Sequence, residues 1–224
     1  TPSEVAEKYI KAFFEDIENL KVRKADIYPK ATGHIVEIIK FIQTLETNGF
    51  AYNKDGNVFY NVKKFQGYGK LSGKKIDELE IGARIEINDT KENPLDFALW
   101  KKAKEGEPYW ESPWGKGRPG WHIECSAMSM KYLGEHFDIH CGGIDHITVH
   151  HPNEIAQNES ATGKKSVNFW CHGEFLVVDS GRMGKSVGNF ITLQTAIDKG
   201  FDPLAYRYLN LQTHYRQKLT FSWE

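Results

Sequence analysis

Hydrophobic side chains in the first 48 residues recur at helical spacing. Val5, Tyr9, Phe13 and Ile17 follow one another every four residues, and Ser3 is suited to cap the helix that they predict. A second apolar set predicts another helix, which ends near Gly49. This second set is Ile35, Ile38, Ile39, Ile42 and Leu45.

The pattern changes to strand after residue 49. Asp55-Gly56 separates two aromatic runs in "AYNKDGNVFYNV", which predicts a hairpin. The charged stretch through "KKIDELEIGARIEINDTKENP" is typical of an exposed subdomain. Further on, "ESPWGKGRPGW" predicts a loop before an amphipathic helix that carries Ile123, Met128 and Tyr132.

The remaining pattern alternates strands and helices. "HFDIHCGG" and "EFLVVD" predict short strands, "SGRMGKSVGN" predicts a loop, and Asp202-Pro203 has the order of a helix cap and first turn. We therefore predict an α/β fold with a separate, small β-rich insertion. The expected segments are 1–48, 49–113 as the insertion, 114–190 and 191–224.

Composition limits the function classes. The 224 residues are 40% hydrophobic and 26% charged, with a net charge of −1, so nothing attracts the whole chain to nucleic acid or anionic membrane. No run approaches ~20 apolar residues, which excludes a membrane span. Three cysteines indicate reduced thiols rather than a disulfide scaffold. We expect a cytoplasmic, monomeric protein. The first residue is Thr1 rather than methionine, and we expect both ends to continue in a longer protein.

Four of the nine histidines lie in "HCGGIDHITVHHPNE", residues 140–154. His150 and Glu154 are four residues apart, so a helix that starts near Pro152 would bring them to one face. Zinc takes nitrogen, oxygen and sulfur ligands, and Cys125 is a plausible third ligand. The alternative is that His150 starts a helix, Glu154 is solvated, and the other three histidines are polar residues near a turn.

Two nearby features suit a nucleotide. Gly143 ends a predicted strand and Asp145 follows it, so the aspartate can accept hydrogen bonds from ribose hydroxyls. Lys185 lies among glycines in "RMGKS" and can reach phosphate oxygens, although the P-loop spacing is absent. The alternatives are a glycine turn with a capping aspartate and an ordinary surface lysine.

Three separated motifs together resemble the catalytic domain of the cysteinyl-tRNA synthetases. These are "SPWGKGRPGWHIECSAM", "FDIHCGGIDHITVHHPNEIAQNE" and "RMGKSVGNF", in the order and spacing of that family. Earlier segments, "YPKATGHI", "YGKLSG" and "NPLDFALWKKAKEGEPYWESPWG", agree with it. The resemblance covers nearly the whole chain.

The resemblance implies a zinc site that selects a thiol substrate. Cys125, His150 and Glu154 match three of four zinc ligands in the family. Trp121 and His140 would lie near the substrate cysteine. A zinc ion prefers sulfur to a hydroxyl oxygen, so it would distinguish cysteine from serine.

The resemblance also implies an ATP site. Lys185 would contact ATP phosphates, and Gly143 and Asp145 would lie on the ribose side. The implied reaction joins ATP, with Mg²⁺, and cysteine into cysteinyl-adenylate, and then transfers cysteine to tRNA(Cys).

The sequence departs from the family pattern in several places. The HIGH motif and the cysteine that supplies the fourth zinc ligand are not among the 224 residues. Arg182 and Gly184 differ from "KMSKS", Cys141 replaces a usual glycine, and Pro152 replaces the first glutamate of "HHENE". We therefore expect a piece or a diverged relative of such an enzyme, with weak ATP binding and a mobile loop at 180–189.

Two alternatives to tRNA charging stay open at this point. One is a related ligase that passes activated cysteine to a small amine. The other is a non-catalytic protein that keeps only metal or nucleotide binding.

Overall fold

The computed structural model describes residues 1–73, 91–178, 183–184 and 190–223. These residues form two compact units, one of Thr1–Tyr28 with Gly173–Glu224 and one of Pro29–His172. In chain order the helices and strands are α1 (Pro2–Asn19), α2 (Ile35–Thr47), β1 (Ala51–Lys54), β2 (Asn57–Tyr60), β3 (Phe97–Lys102), β4 (Gly117–Pro119), α3 (Trp121–Leu133), β5 (Phe137–Gly143), α4 (His150–Thr162), β6 (Val167–Gly173), β7 (Leu176–Val178), α5 (Leu193–Asp198), α6 (Pro203–Leu211) and β8 (Leu219–Phe221). The predicted α/β class is confirmed.

The larger unit contains a four-stranded antiparallel sheet in the order β1-β2-β3-β4. The predicted hairpin joins β1 to β2, where Asp55 and Gly56 both have positive φ, at 57° and 85°. Two successive positive φ values give the tight turn that matches the twist of paired strands.

This sheet shares one apolar core with helices α2, α3 and α4. The fully buried members of that core include large side chains from β2, β3 and the second predicted helix, because each element buries its apolar face against the others. The core residues are Ile38, Phe41, Ile42, Leu45, Val58, Tyr60, Val62, Phe97, Leu99, Trp100, Ile123, Ala127 and Ala156. The described strands between residues 49 and 113 contribute Val58, Tyr60, Phe97, Leu99 and Trp100 to this core, and the separate insertion at 49–113 stays a prediction. The other predicted segment boundaries remain predictions.

A glycine sets the start of α3. A Cβ at Gly120 would lie 1.9 Å from the carbonyl oxygen of Ala98, so only glycine lets this helix begin against β3. Trp121 and His122 follow in the first turn of α3. The close approach therefore fixes the first two side chains of the helix that also carries Cys125.

Helix α4 is buried along most of its length, although its residues are mainly polar. Some of its side chains find partners in neighbouring elements, as when Gln157 donates to Ser126 Oγ at 2.9 Å and Tyr60 Oη contacts Ser160 Oγ at 2.7 Å. The helix runs from His150 to Thr162 and is capped by Gly163, which adopts the left-handed conformation at φ 72°. A buried polar helix of this kind has no apolar stripe for the sequence to show.

The smaller unit contains α1, α5, α6 and the parallel pair β7–β8. Thr1 caps α1, so the predicted cap at Ser3 is wrong, while Asp202 caps α6 as expected. Arg207 donates to the carbonyl oxygens of Leu20 and Lys21 just after α1. Among the described residues, no helix is long and apolar enough to cross a membrane.

We predict that Asp96 stabilises the larger unit by accepting hydrogen bonds from three separate segments. Its buried carboxylate accepts hydrogen bonds from Tyr52 Oη at 2.8 Å, Val62 N at 3.0 Å and Asn93 N at 3.2 Å. Asp96→Ala leaves these buried donors unpaired and should lower the free energy of unfolding by about 2–3 kcal/mol in urea titrations. The control Asp138→Ala, at an exposed site on β5, should change it by less than ~0.5 kcal/mol. Equal effects of the two substitutions would refute this assignment.

Candidate metal centre

The Glu154 carboxylate lies at the centre of the candidate site. Its side chain is 0% exposed, and neither oxygen accepts a hydrogen bond within the described part of the chain. Burial of a carboxylate without donors is costly unless a cation compensates for it. A cation bound beside Glu154 would provide this compensation.

Cys125, His150 and Glu154 offer ligand atoms that all lie within 4.8 Å of one another; we call them the sulfur triad. The convergence predicted from the i, i+4 spacing of His150 and Glu154 is confirmed, and the helix starts at His150 itself. Nε2 of His150 lies 2.9 Å from Oε1 of Glu154 without making a hydrogen bond. The two atoms are therefore close enough to bind a common ion, and neither is occupied by a hydrogen bond to the other.

A second group shares the same carboxylate. His140, His151 and Glu154 also have ligand atoms within 4.8 Å of one another; we call them the histidine triad. Nε2 of His140 lies 3.5 Å from Oε1 of Glu154. The ring of His140 stacks on Trp170, with 4.5 Å between the ring centroids.

Two further histidines hold the ligand rings in place. Nδ1 of His150 is hydrogen-bonded to Nδ1 of His122 at 2.8 Å, and Nδ1 of His151 to Nε2 of His172 at 2.8 Å. Each bond occupies one ring nitrogen and leaves Nε2 of the α4 histidine for another partner. Histidine ligands of metals are commonly oriented in this way by a second hydrogen bond.

Burial sets the protonation of several of these groups. It lowers the pKa of His122 and of His151 to about 3, with smaller contributions from neighbouring imidazoles. Both rings are therefore neutral near pH 7, the form in which histidine binds metals. Burial, together with Glu154 and Glu124, raises the pKa of the Cys125 thiol to about 12.

Trp121 lies beside the sulfur triad at the first position of α3. Its side chain is 65% exposed, while its ring centroid is 5.0 Å from that of His150 and 6.2 Å from that of His146. An exposed indole next to buried ligands forms an apolar surface on which a small molecule can rest. This position agrees with the predicted substrate contact, whose role stays a prediction.

The residues predicted to bind nucleotide are only partly described. Gly143 ends β5, and Asp145 lies exposed in a short 3-10 helix, Ile144–Ile147. A Cβ at Gly143 would lie 2.4 Å from Oδ1 of Asp145, so glycine gives this carboxylate room. Lys185, and most of the loop expected to be mobile, lie outside the described residues. The ATP contacts of all three residues therefore stay predictions.

Sequence reasoning missed the histidines that complete the site. His151, which we gave only the reading of a polar turn residue, is 2% exposed and belongs to a triad. His122 and His172 come from other elements, 28 and 21 residues away from their partners. His122 stands three positions before Cys125 in "WHIEC", and this spacing was the one local signal for its role.

The donor set suits zinc. Two ligands of a tetrahedral zinc ion, at bonds of roughly 2.0–2.3 Å, lie about 3.3–3.8 Å apart. The 2.9 Å between Nε2 of His150 and Oε1 of Glu154 is shorter than this separation, and the 3.5 Å between Nε2 of His140 and Oε1 falls within it. The sulfur triad supplies one sulfur, one nitrogen and one oxygen, and a fourth ligand can complete the coordination. The buried carboxylate without hydrogen bonds agrees with this fit.

Comparison with known proteins shows the family. The family model of the "tRNA synthetases class I (C) catalytic domain" matches residues 1–224, and the chain belongs to this family. The chain is 56% identical over 224 residues to a cysteine–tRNA ligase of Treponema denticola, covering 99% of this chain and 46% of that protein. It is 55% identical over 223 residues to the cysteine–tRNA ligase of Thermococcus kodakarensis, covering 100% of this chain and 47% of that protein.

The chain thus spans about half the length of the curated relatives that it matches.

Solved structures support the class I fold. A Mycobacterium tuberculosis methionyl-tRNA synthetase in complex with methionyl-adenylate matches with a TM-score of 0.71 at 15% identity, over 99% of this chain and 54% of that one. The free form of the same enzyme matches with a TM-score of 0.54 at 12% identity, over 99% of this chain and 54% of that one.

We predict that Cys125 is the only cysteine that binds zinc tightly in the described residues. Cys125→Ser removes the sulfur ligand and should weaken zinc binding by ~100-fold or more in competition titrations. Cys141→Ser is the matched control, because Cys141 lies exposed on β5 and belongs to neither triad. Loss of zinc from Cys141→Ser with retention in Cys125→Ser would overturn the ligand assignment.

Zinc uptake should also release the thiol proton. With a pKa of about 12, Cys125 is protonated at pH 7, so coordination must displace its proton. Calorimetric titrations in buffers of different ionisation enthalpy should show about one proton fewer released by Cys125→Ser than by the unmodified chain. Cys141→Ser should release as many protons as the unmodified chain; equal release by Cys125→Ser would mean that the thiolate does not bind the ion.

Proposed function

We propose that the protein of which this chain is a part joins cysteine to tRNA(Cys) through a cysteinyl-adenylate, and that a zinc ion in the sulfur triad selects the thiol. The convergence of Cys125, His150 and Glu154 beside the exposed Trp121 carries the proposal. Membership of the class I family and the names of the relatives support it.

The chemistry of the triad explains why cysteine would be preferred to serine. A hydroxyl and a thiol are close in size, so an apolar pocket rejects one for the other poorly. Zinc in this site would lower the pKa of a bound thiol and favour sulfur over a hydroxyl oxygen. The chain's own part is to hold the ion through three ligands and to present Trp121 to the bound amino acid.

The adenylate step needs groups that handle phosphate charge. In the proposed mechanism Lys185 contacts the phosphates of ATP with its Mg²⁺, while Gly143 and Asp145 approach the ribose. His140, beside Glu154, would line the amino-acid side of the site. Stabilising the charge that develops on the phosphates is the usual source of rate in such transfers. A cytoplasmic location and a monomeric state complete the proposal.

Thiol selection can be tested directly on this chain. In the cobalt-loaded protein, added cysteine should increase the thiolate-to-cobalt charge-transfer absorption, because a second sulfur joins Cys125 on the metal. Added serine, the matched control, should leave the spectrum unchanged. Equal responses to cysteine and serine would contradict selection by the metal.

The reaction itself is tested in the natural full-length protein. Cysteine-dependent exchange of pyrophosphate into ATP should occur, and Cys125→Ser should reduce kcat/KM for cysteine by ~100-fold or more. Exchange without transfer to tRNA(Cys), but with transfer to a small amine, would instead favour the related ligase. No exchange by a folded, zinc-loaded protein would contradict catalysis.

A further inference from the structure

We propose that the histidine triad, His140, His151 and Glu154, is a second position for a divalent cation, one that needs no sulfur. The inference goes beyond the proposed function, because it requires neither Cys125 nor a substrate. It starts from the two oxygens of Glu154, both of which are buried and without hydrogen bonds among the described residues. A histidine of each triad approaches the same carboxylate oxygen: Nε2 of His150 lies 2.9 Å from Oε1 of Glu154, and Nε2 of His140 lies 3.5 Å from it.

The two triads are built in the same way. In each, a histidine of α4 has its Nδ1 fixed by another histidine at 2.8 Å, His122 for His150 and His172 for His151. Each leaves Nε2 of the α4 histidine for a ligand role. In each, a residue of a different element completes the group: Cys125 from α3 in one and His140 from β5 in the other. Stacking on Trp170 limits rotation of the His140 ring.

The space beside His151 is kept open by a glycine. A Cβ at Gly142 would lie 2.8 Å from Nε2 of His151 and 3.4 Å from Nδ1 of His146. Nδ1 of His146 is itself buried and makes no hydrogen bond within the described ranges. Two ring nitrogens thus border one small space that any side chain at 142 would fill.

The donor set defines the kind of cation. Two imidazoles and a carboxylate, with open positions, suit Zn²⁺, Co²⁺, Fe²⁺ or Mn²⁺, and they lack the thiolate that favours soft ions. Glu154 is common to both triads, and two divalent cations would bring four positive charges against the two negative charges of Glu154 and a Cys125 thiolate. Such an excess is unfavourable in a buried site. We therefore infer that one ion at a time occupies either the sulfur triad or the histidine triad.

Cobalt distinguishes the two positions, because only the sulfur triad gives a thiolate-to-cobalt charge-transfer band. The unmodified chain should bind about one Co²⁺ with this band. Cys125→Ser should still bind about one Co²⁺, more weakly and with ligand-field bands only. Adding His151→Gln to Cys125→Ser should weaken the remaining binding by ~100-fold or more, whereas adding His136→Gln should not, since His136 is exposed and outside both triads.

Gly142→Ala provides a variant that removes no ligand. In the Cys125→Ser background it should weaken Co²⁺ binding by ~10-fold or more, because the new methyl group overlaps Nε2 of His151. Far-UV circular dichroism and the urea midpoint confirm that each variant is folded.

The proposal is overturned if Cys125→Ser binds no Co²⁺ at concentrations 100-fold above those that saturate the unmodified chain. It is equally overturned if folded Cys125→Ser/His151→Gln binds as well as Cys125→Ser. If the unmodified chain binds Co²⁺ without the thiolate-to-cobalt charge-transfer band, the result would instead count against the sulfur triad and the proposed function.

Discussion

A buried carboxylate without hydrogen-bond donors is the constraint on which the rest of this site depends. Glu154 is completely enclosed, and imidazole nitrogens of His150 and His140 approach its Oε1 at 2.9 Å and 3.5 Å without making hydrogen bonds. Without a cation, this arrangement costs free energy that the fold must offset elsewhere. The cost is understandable if the site is built for a metal, since ligands whose lone pairs converge on one ion do not hydrogen-bond to one another.

The surrounding fold maintains this arrangement through polar contacts. Helix α4 carries Glu154 and the two ligand histidines, and it is anchored by Tyr60, Ser126 and other polar partners rather than by an apolar stripe. The apolar core lies next to it, where β2, β3 and α2 pack together. The apolar core and the candidate metal site thus lie next to each other in the same unit. Asp96 belongs to neither triad, so Asp96→Ala can destabilise the unit without removing a metal ligand.

Local signals in the sequence predicted local structure well. The Asp55-Gly56 turn, the cap at Asp202 and the i, i+4 pair His150–Glu154 were predictable because each depends on neighbours in the chain. The roles of His122 and His172 were not, because they arise from contacts between elements. The burial of Tyr60, Phe97 and Trp100 in the common core was not predictable for a related reason, because it depends on packing between strands and helices far apart in the chain.

The central claim is that Glu154 is present to bind a cation and not to stabilise the metal-free fold. The most direct test is the free energy of unfolding of Glu154→Gln and of the unmodified chain, each with and without zinc. We predict that Glu154→Gln is at least as stable as the unmodified chain without zinc, because the buried charge is gone. With zinc at about 1,000 times its dissociation constant, the unmodified chain should gain about 4 kcal/mol and the variant much less. A metal-free variant less stable than the unmodified chain, with equal gains from zinc, would contradict the account.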